Sequence, residues 1–342
     1  MNISNFFSPL RFFIVLVGIL LVIIVYFTKE DSVQNFSGTT MGTYYNISVV
    51  GTSLDFTDLL IHNTLEEVNQ EMSTYIPTSF ISKFNEATLG EWIESSPSFI
   101  KVLSHAIEIC NLSDGYFDVT VGGLVNIWGF GPSKVKDLPS MNQIINSLQR
   151  IGCDAVSVNF LEGKVKRNSD VKIDLSAIAK GFAIDQLYDV FIENDEVTGF
   201  LIEVGGEIKA YGYKSNNIPW TVGISHPDLP GQSIFKIKTD IKEIFSMATS
   251  GDYRNFKLFE DKVYSHTINP KDGMSLEVRG SSVSVISDSA MKADALATAL
   301  NAMGPEKGMK FANQHNLETI FLLKENGEYI VRLSESFKKT LQ

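Results

Sequence analysis

An aspartate and a threonine four residues apart could together bind a metal ion. Asp294 and Thr298 lie in the sequence Asp-Ala-Leu-Ala-Thr, inside an apolar pattern of helical period over residues 288–303. Positions i and i+4 of a helix share a face, so the carboxylate and the hydroxyl point the same way. Two such oxygens suit Mg2+, which also takes waters or substrate phosphates. An amphipathic helix with a solvated Asp294, and with Thr298 bonded to a preceding carbonyl, explains the pair alone equally well.

A second segment, residues 172–185, has features of an anion-binding helix start. A strand pattern carrying Asp174 leads into a helix that is predicted to begin near Ser176, and Lys180 follows one turn later. Helix N-termini offer free N–H groups and the positive end of the helix dipole. The Gly-x4-Gly-Lys-Ser/Thr spacing of a Walker A motif is absent. Ser176 could also be a plain N-cap, with Asp174 as a local turn acceptor.

One histidine follows a strand pattern into a polar turn, in Ser265-His-Thr-Ile-Asn-Pro270. An unperturbed imidazole titrates near neutral pH, so His266 is a candidate general base. The other histidines are predicted to lie on helices or before a proline-rich turn: His62, His105, His226 and His315. A purely structural role for His266 remains the alternative.

Interleaved helices and strands must position these residues. Apolar residues recur at helical spacing over residues 56–72, 99–110, 178–191 and 289–303, whereas alternating or β-branched runs cover residues 44–50, 200–208, 235–241 and 281–286. This mixture predicts an α+β or mixed α/β fold. No linker, charge block or repeat interrupts it, so residues 37–342 are predicted to form a single large domain.

Composition excludes several classes of function. The chain has 342 residues, 44% of them hydrophobic, with a formal net charge of -11 and no Lys/Arg-rich run, so nucleic acid is not an expected partner. No GxGxxG follows a strand pattern, which argues against a Rossmann dinucleotide site. Cys110 and Cys153 form neither a CxxC nor a Cys/His cluster, which argues against a zinc site. We expect both to be small buried hydrophobes, and whether they pair stays open.

The N-terminus predicts a membrane anchor. Residues 12–27 are an unbroken apolar run of about 24 Å as a helix, preceded by Arg11 and without a following small-x-small cleavage site. A cleaved signal peptide is the alternative. We predict a cytoplasmic N-terminus (1–11), a transmembrane signal anchor (12–28) and a juxtamembrane linker (29–36). The positive-inside rule then puts the domain on the extracytoplasmic side of a bacterial inner membrane.

Taken together, nine segments resemble, in order, the ApbE family of FAD:protein FMN transferases. They are Gly38-Thr-Thr-Met-Gly-Thr43, Met72-Ser-Thr-Tyr75 with Ser82-Lys-Phe-Asn85, Asp114-Gly-Tyr-Phe-Asp-Val-Thr120, Trp128-Gly-Phe-Gly131, Asp174-Leu-Ser-Ala-Ile-Ala-Lys-Gly181, Glu203-Val-Gly-Gly-Glu207, Ser250-Gly-Asp-Tyr253, Ser265-His-Thr-Ile-Asn-Pro270 and Ala293-Asp-Ala-Leu-Ala-Thr298. Their shared order across almost the whole predicted domain argues against chance agreement.

The resemblance implies a reaction that splits FAD at its pyrophosphate, moves FMN onto a threonine or serine hydroxyl of an acceptor protein and releases AMP. It implies Mg2+ ligands at Asp294, Thr298 and the carbonyl of Ala177. The positions that it implies around FAD are Met41, Tyr75, Tyr116, Phe117, Asp118, Asp174, Lys180 and Ile268. Lys180 would offset charge on the transferred phosphate, His266 would be the base, and Asp252 the reserve base.

Two alternative functions compete with the transferase, and the first would use the same residues. In a Mg2+-dependent FAD pyrophosphatase, water replaces the acceptor hydroxyl, and Tyr75 mildly favours the transferase because transferase-type members of the family have tyrosine there. A flavin-binding protein without turnover would need neither metal nor base. The resemblance also implies an acceptor subunit in a membrane-bound electron-transfer complex.

Overall fold

A computed structural model of the protein describes residues 31–341 apart from positions 56, 134, 136, 215–217, 230, 241–242, 253–255, 260–261 and 279, and also positions 13–14 and 16–18. The helices in residues 31–341 are α1 (Thr57–Met72), α2 (Phe80–Glu86), α3 (Pro97–Leu112), α4 (Gly122–Ile127), α5 (Met141–Leu148), α6 (Ala179–Ile192), α7 (Ala290–Met303), α8 (Pro305–Gln314) and α9 (Glu335–Thr340). The strands are β1 (Ser32–Thr40), β2 (Thr43–Gly51), β3 (Ile93–Glu94), β4 (Val156–Asn159), β5 (Lys164–Arg167), β6 (Val197–Val204), β7 (Glu207–Lys214), β8 (Ile218–Pro219), β9 (Thr221–Ser225), β10 (Ser233–Lys238), β11 (Phe245–Gly251), β12 (Phe256–Phe259), β13 (Lys262–Ile268), β14 (Ser275–Glu277), β15 (Ser282–Ser287), β16 (Glu318–Glu325) and β17 (Glu328–Leu333).

An antiparallel sheet of nine described strands forms the centre, in the order β1-β2-β6-β7-β11-β15-β16-β17, with β8 paired to β7. Both faces of this sheet are covered, as β11 illustrates. Ala248 packs into the main core with α6 and α7, whereas its neighbour Met247 packs into a second cluster with Val222 and Phe337. Successive side chains of a strand point to opposite faces, so this alternation separates two layers.

Three smaller sheets complete the described part: β9-β10, β12-β13-β14 and β3-β5-β4. The predicted fold class, a mixed α+β single domain, is confirmed. The four long helical patterns correspond to α1, α3, α6 and α7. Local signals explain their ends, since Ser96 caps α3 through the Phe99 amide (3.0 Å) and Ser289 caps α7 through the Lys292 amide (3.2 Å).

Two tight hairpin turns bring distant segments together. Met41 and Gly42 connect β1 to β2 with φ angles of 50° and 71°, and Gly205 and Gly206 connect β6 to β7 with φ angles of 62° and 101°. Positive φ at both central residues is typical of two-residue hairpins. The predicted single strand over residues 200–208 is therefore wrong, because this glycine pair divides it into two strands.

The two cysteines are paired, so the expectation of two small buried hydrophobes is corrected. A disulfide joins Cys110 on α3 to Cys153, with their Cα atoms 5.6 Å apart and 43 residues apart in sequence. In the chain-entropy model, closing a loop of this length stabilises the fold by about 4 kcal/mol.

The described sheet begins before the predicted domain boundary. β1 starts at Ser32, so residues 32–36, assigned to the linker, pair with β2. The predicted N-terminal segment (1–11) and signal anchor (12–28) lie outside the described residues, except for helical positions 13–14 and 16–18. Within the described part of the chain, no helix is long and apolar enough to cross a membrane.

Candidate active site

The candidate site is built on a very close contact between α6 and α7. A Cβ atom on Gly181 would lie 2.3 Å from the carbonyl oxygen of Ala290, so only glycine allows this approach. Asp185, one turn further along α6, accepts hydrogen bonds from the amides of Ala290 (3.0 Å) and Met291 (3.0 Å) and from the hydroxyl of Ser289 (2.7 Å). The start of α7 is therefore held firmly against α6.

A buried cluster of charges follows from this contact. Asp294 is only 2% exposed, and its Oδ2 accepts a hydrogen bond from the Gly181 amide at 3.1 Å. Lys180 Nζ lies 3.4 Å from the same oxygen and 3.6 Å from Oε1 of Glu207, and it donates to the carbonyl of Ser176 at 3.0 Å. The suggestion of a solvated Asp294 is therefore wrong.

The charge state of Lys180 results from opposing effects. Burial disfavours its ammonium group, but the carboxylates of Asp294 and Glu207 outweigh burial and raise the pKa of Lys180 above its ordinary value. Lys180 is thus a fixed positive charge at neutral pH. Since Glu207 lies beside the Gly205–Gly206 turn and Gly205 approaches the Lys180 side chain, the hairpin helps to position this charge.

The three predicted metal ligands lie along this α6–α7 contact. Thr298 follows Asp294 by one helical turn, and its hydroxyl is 3.2 Å from the hydroxyl of Ser250 on β11 rather than bonded to a preceding carbonyl. In a regular helix the Gly181 amide would donate to the carbonyl of Ala177, but here it donates to Asp294. That carbonyl thereby lacks its usual helical partner and is a suitable ligand.

Only one of the three predicted metal ligands, Asp294, has a charged side chain. No group of three or more His, Cys, Asp or Glu residues among the described positions could hold a metal ion. The set combines one carboxylate, one hydroxyl and one carbonyl, all hard oxygens. Such a set fits Mg2+, which is bound through one or two carboxylates together with waters and substrate phosphates.

The helix start at Lys180 differs from the sequence prediction. Residues 176–178 form a turn, and α6 begins at Ala179 without a side-chain cap. Asp174 accepts a hydrogen bond from the Ser176 amide at 2.8 Å, which is the local turn arrangement left open as the alternative. The prediction of a helix start near Ser176 is therefore wrong by three residues.

Tyr75 and His266 both contact Phe130. The Tyr75 hydroxyl donates to the carbonyl of Phe130 at 2.7 Å, and the Phe130 ring contacts the His266 ring edge-on at a centroid distance of 6.5 Å. Tyr75 is 64% exposed. Partial burial, with a contribution from Asp174, raises the pKa of Tyr75, so its hydroxyl stays protonated at neutral pH.

The two candidate bases have different surroundings. His266 is half-buried on β13, between the buried side chains of Ser265 and Thr267. Asp252 is 3% exposed and accepts hydrogen bonds from the amides of Gly280 (2.9 Å) and Ser281 (3.1 Å) and from the Ser281 hydroxyl (3.0 Å). Both oxygens of Asp252 accept hydrogen bonds from residues 280–281, directly before β15, which is the geometry of a structural carboxylate.

The remaining predicted residues lie at turns and in the core. Phe117 and Ile268 are buried, and Met41 is partly buried at the β1–β2 turn. Asp118 accepts from the amide and the hydroxyl of Thr120 at 2.8 and 2.6 Å. Burial raises the pKa of this carboxyl, while the bonds from Thr120 act in the opposite direction.

Tyr116 is flanked by two lysines that sequence reasoning missed. Lys307 Nζ lies 3.0 Å from the Tyr116 hydroxyl and 4.2 Å from its ring centroid, and Lys271 Nζ lies 5.4 Å from that centroid. Sequence reasoning also gave no role to Glu207 or Ser250. Their positions within two of the nine segments were the available signal.

One cavity of the described part lies away from these residues. It has a volume of about 620 Å³ between α8, β16 and β17, and no predicted site residue lines it. A smaller cavity of about 180 Å³ is lined by Asp252, Ser281 and Asn301 among others. We therefore locate the candidate site by its chemistry and not by cavity size.

Comparison with known proteins decides the family. The model of the ApbE family matches residues 41–321 of this chain. The chain belongs to the ApbE family. The resemblance stated from the sequence is thus confirmed, and so is the enzyme class that it implied, because similar curated proteins have the name FAD:protein FMN transferase.

Among these relatives, the protein of Haemophilus influenzae is 34% identical over 322 residues, covering 91% of this chain and 92% of its own length. The protein of Vibrio cholerae is 35% identical over 320 residues, covering 92% and 94%. The solved flavin transferase ApbE from Vibrio cholerae has a TM-score of 0.78 at 32% identity, covering 90% of this chain and 99% of its own. The apo flavinyl transferase ApbE of Pseudomonas stutzeri has a TM-score of 0.80 at 28% identity, covering 91% and 97%.

Proposed function

We propose that this ApbE-family chain transfers the FMN moiety of FAD to a threonine or serine hydroxyl of an acceptor protein, releases AMP, and requires Mg2+. The observation that carries the proposal is the buried cluster of Lys180, Asp294 and Glu207 beside Thr298. A positive charge fixed by two carboxylates, next to three oxygen ligands, is suited to a phosphate that gains negative charge during transfer.

The transfer step is a displacement at phosphorus. The acceptor oxygen forms a bond to the phosphorus of the FMN half, the bond between that phosphorus and the bridging oxygen breaks, and AMP leaves with the electron pair. The hydroxyl proton passes to a base on this chain. Lys180 offsets the charge on the transferred phosphate and on AMP, because its pKa keeps it protonated.

Asp294, Thr298 and the carbonyl of Ala177 would hold the Mg2+. When bound, the ion neutralises phosphate charge and orients the phosphates for displacement. Lys180 lies 3.4 Å from Asp294, so it disfavours a bare cation at this carboxylate. The phosphates of FAD offset this repulsion, and we therefore expect Mg2+ to bind much more tightly when FAD is present.

His266 is the proposed base. Its half-buried position beside the Phe130 ring lets a substrate reach the imidazole, whereas both oxygens of Asp252 already accept hydrogen bonds from residues 280–281. Asp252 remains the reserve candidate. The proposed FAD contacts are Met41, Tyr75, Tyr116, Phe117, Asp118, Asp174 and Ile268.

We further propose that the chain acts outside the cytoplasm, held by residues 12–28 at a bacterial inner membrane. The Cys110–Cys153 disulfide supports this placement, since such bonds persist mainly in oxidising compartments. An exported subunit of a membrane-bound electron-transfer complex is the proposed acceptor.

A direct assay separates transfer from hydrolysis. The full chain in detergent is incubated with FAD, Mg2+ and a candidate acceptor subunit, and the acceptor mass, its in-gel flavin fluorescence and AMP are measured. We expect the acceptor to gain the mass of FMN as AMP appears. FMN and AMP with an unchanged acceptor would instead indicate a pyrophosphatase, and FAD binding without AMP would indicate a flavin-binding protein.

Two variants test the assigned roles. Asp294→Asn keeps the size of the side chain but removes its charge, and we expect it to abolish AMP release, whereas Asp189→Asn on the exposed face of α6 should match wild type. Full activity of Asp294→Asn, or full activity in excess chelator, would remove Mg2+ from the mechanism. His266→Ala should retain FAD binding and transfer slowly; an unchanged rate would rule out His266 as the base.

A further inference from the structure

The Cys110–Cys153 disulfide joins two parts of the chain that contact opposite ends of one candidate binding segment, residues 113–120. Cys110 comes three residues before the segment 113–120, which carries Tyr116, Phe117 and Asp118, and Cys153 lies in a turn that contacts the end of that segment. The bond therefore connects the two structures between which the segment is held.

On the Cys110 side, two hydrogen bonds to the Cys110 carbonyl hold the segment. The carbonyl of Cys110 accepts hydrogen bonds from the Gly115 amide at 2.8 Å and from the Ser113 hydroxyl at 3.2 Å. The same hydroxyl accepts a bond from the Phe117 amide at 3.0 Å. Ser113 is 1% exposed, so these bonds are shielded from water and hold the first half of the segment in place.

On the Cys153 side, the connection passes through one threonine. The amide of Gly152, the residue before Cys153, donates to the hydroxyl of Thr120 at 3.0 Å. That hydroxyl in turn donates to Oδ1 of Asp118 at 2.6 Å. The Cys153 turn is therefore connected to a proposed FAD contact through two successive hydrogen bonds.

The segment also contains a conformation that requires support. Asp114 and Gly115 have φ angles of 53° and 71°, in the left-handed region, which costs a residue with a Cβ atom about 1 kcal/mol. Their surroundings must hold this turn in place. The two hydrogen bonds to the Cys110 carbonyl do so from one side, and the disulfide fixes that carbonyl relative to the Cys153 turn.

We propose that the Cys110–Cys153 disulfide is a positioning element for the flavin nucleotide, so that its reduction weakens FAD binding. The proposal rests on the proposed function, in which residues 116–118 contact FAD. An added dithiol supplies two electrons and two protons and is itself oxidised to a disulfide. A phosphine supplies the two electrons and is oxidised to a phosphine oxide, while water supplies the oxygen atom and the two protons. Either reagent converts the bond to two thiols. The 113–120 segment then loses its covalent connection to the Cys153 turn, and FAD binding must supply the lost order.

The test measures the FAD affinity of the full chain in detergent by flavin fluorescence, before and after reduction with a phosphine. Alkylation followed by mass analysis verifies that both thiols are free. We expect the Kd for FAD to rise about fivefold to tenfold, with the rate at saturating FAD nearly unchanged. The double variant Cys110→Ser/Cys153→Ser should show the weaker affinity under both conditions. A lower Tm with an unchanged Kd after complete reduction would overturn the proposal, since the bond would then be structural only.

A second variant tests the route through Thr120 with the disulfide intact. Thr120→Val removes the hydroxyl and should weaken FAD binding, whereas Thr120→Ser keeps the hydroxyl and should bind as wild type does. Reduction should add little to the effect of Thr120→Val, because both changes interrupt one connection. Fully additive effects would contradict this route. If the oxidised chain binds FAD in a redox-sensitive manner but releases no AMP, the proposed function fails while the positioning role stands.

Discussion

Gly181→Ala tests whether the α6–α7 contact sets the geometry of the site. The added Cβ would lie 2.3 Å from the carbonyl oxygen of Ala290, 2.6 Å from its carbonyl carbon and 2.7 Å from Cα of Met291. All three atoms belong to the backbone, so no side-chain rotation can relieve the overlap. The two helices must move apart at the point where the Gly181 amide bonds to Asp294.

The size of the effect follows from these distances. Ordinary contact with a Cβ begins at 3.4 Å, so the helices must separate by about 1 Å. A displacement of that size lengthens the Gly181–Asp294 bond from 3.1 Å beyond hydrogen-bond range. A misplacement of about 1 Å can cost about 100-fold in rate. Overpacking costs about 1 to 3 kcal/mol, but alanine recovers about 1 kcal/mol of helix propensity, so the free energy of unfolding should change by only about 0 to 2 kcal/mol.

The assay compares AMP release with thermal unfolding in the same preparations. Gly123→Ala is a matched control, because Gly123 also lies in a helix, α4, and an added Cβ there meets no atom within 4 Å. We expect the control to keep its rate and to be as stable as wild type or slightly more so. A Gly181→Ala rate within about twofold of wild type would refute the argument that this contact positions Asp294.

Three further predictions concern stability and the surroundings of the site. Asp185→Ala leaves the buried ammonium of Lys209, now 2.6 Å from Asp185, without its carboxylate, and should lower the free energy of unfolding in a denaturant titration by about 3 to 5 kcal/mol. Burial raises the pKa of Asp118 above 3.8, so this carboxyl contributes stability at low pH that is lost as the pH rises through the raised pKa. The Tm of Asp118→Asn should therefore increase relative to that of wild type between pH 4 and pH 7. Parallel profiles of Tm against pH for the two proteins would contradict this. Tyr75→Phe removes the 2.7 Å hydrogen bond to the Phe130 carbonyl and should weaken FAD binding. It should change Tm little, because Tyr75 is 64% exposed. An unchanged Kd for FAD would exclude a role for this hydroxyl.

Local patterns predicted the elements because local chemistry determines them. The period of apolar residues and the Ser289 cap define α7, and the i, i+4 spacing of Asp294 and Thr298 places both on one face. The prediction of one strand over residues 200–208 was wrong because it also rested on a local apolar pattern. The apolar residues of this pattern continue on both sides of the turn, and the one signal that divides them is Gly205–Gly206, a glycine pair of the kind that forms two-residue hairpin turns.

Contacts between distant residues could not be predicted from spacing. The burial of Asp294 depends on Gly181, which lies 113 residues earlier, and the pairing of Lys180 with Glu207 depends on a hairpin beside α6. The disulfide is similar, because cysteines 43 residues apart can pair only if the fold brings their Cα atoms to about 5.6 Å. Family resemblance supplied the order of the segments, but not the geometry that couples them.

The charges of the cluster explain why one carboxylate is enough for the proposed metal site. Asp294 and Glu207 carry two negative charges and Lys180 carries one positive charge, which leaves one net negative charge in a largely buried place. This excess repels a pyrophosphate, whereas a divalent cation bound at Asp294, as proposed, would reverse its sign. Lys180, in turn, weakens the attraction of Asp294 for that cation unless phosphates are also present. At the proposed site each partner would thus raise the affinity for the other, and thermodynamic linkage would make the two effects equal. A second carboxylate among the ligands would hold the cation without FAD, and it would remove the excess positive charge that the cluster needs to bind the phosphates.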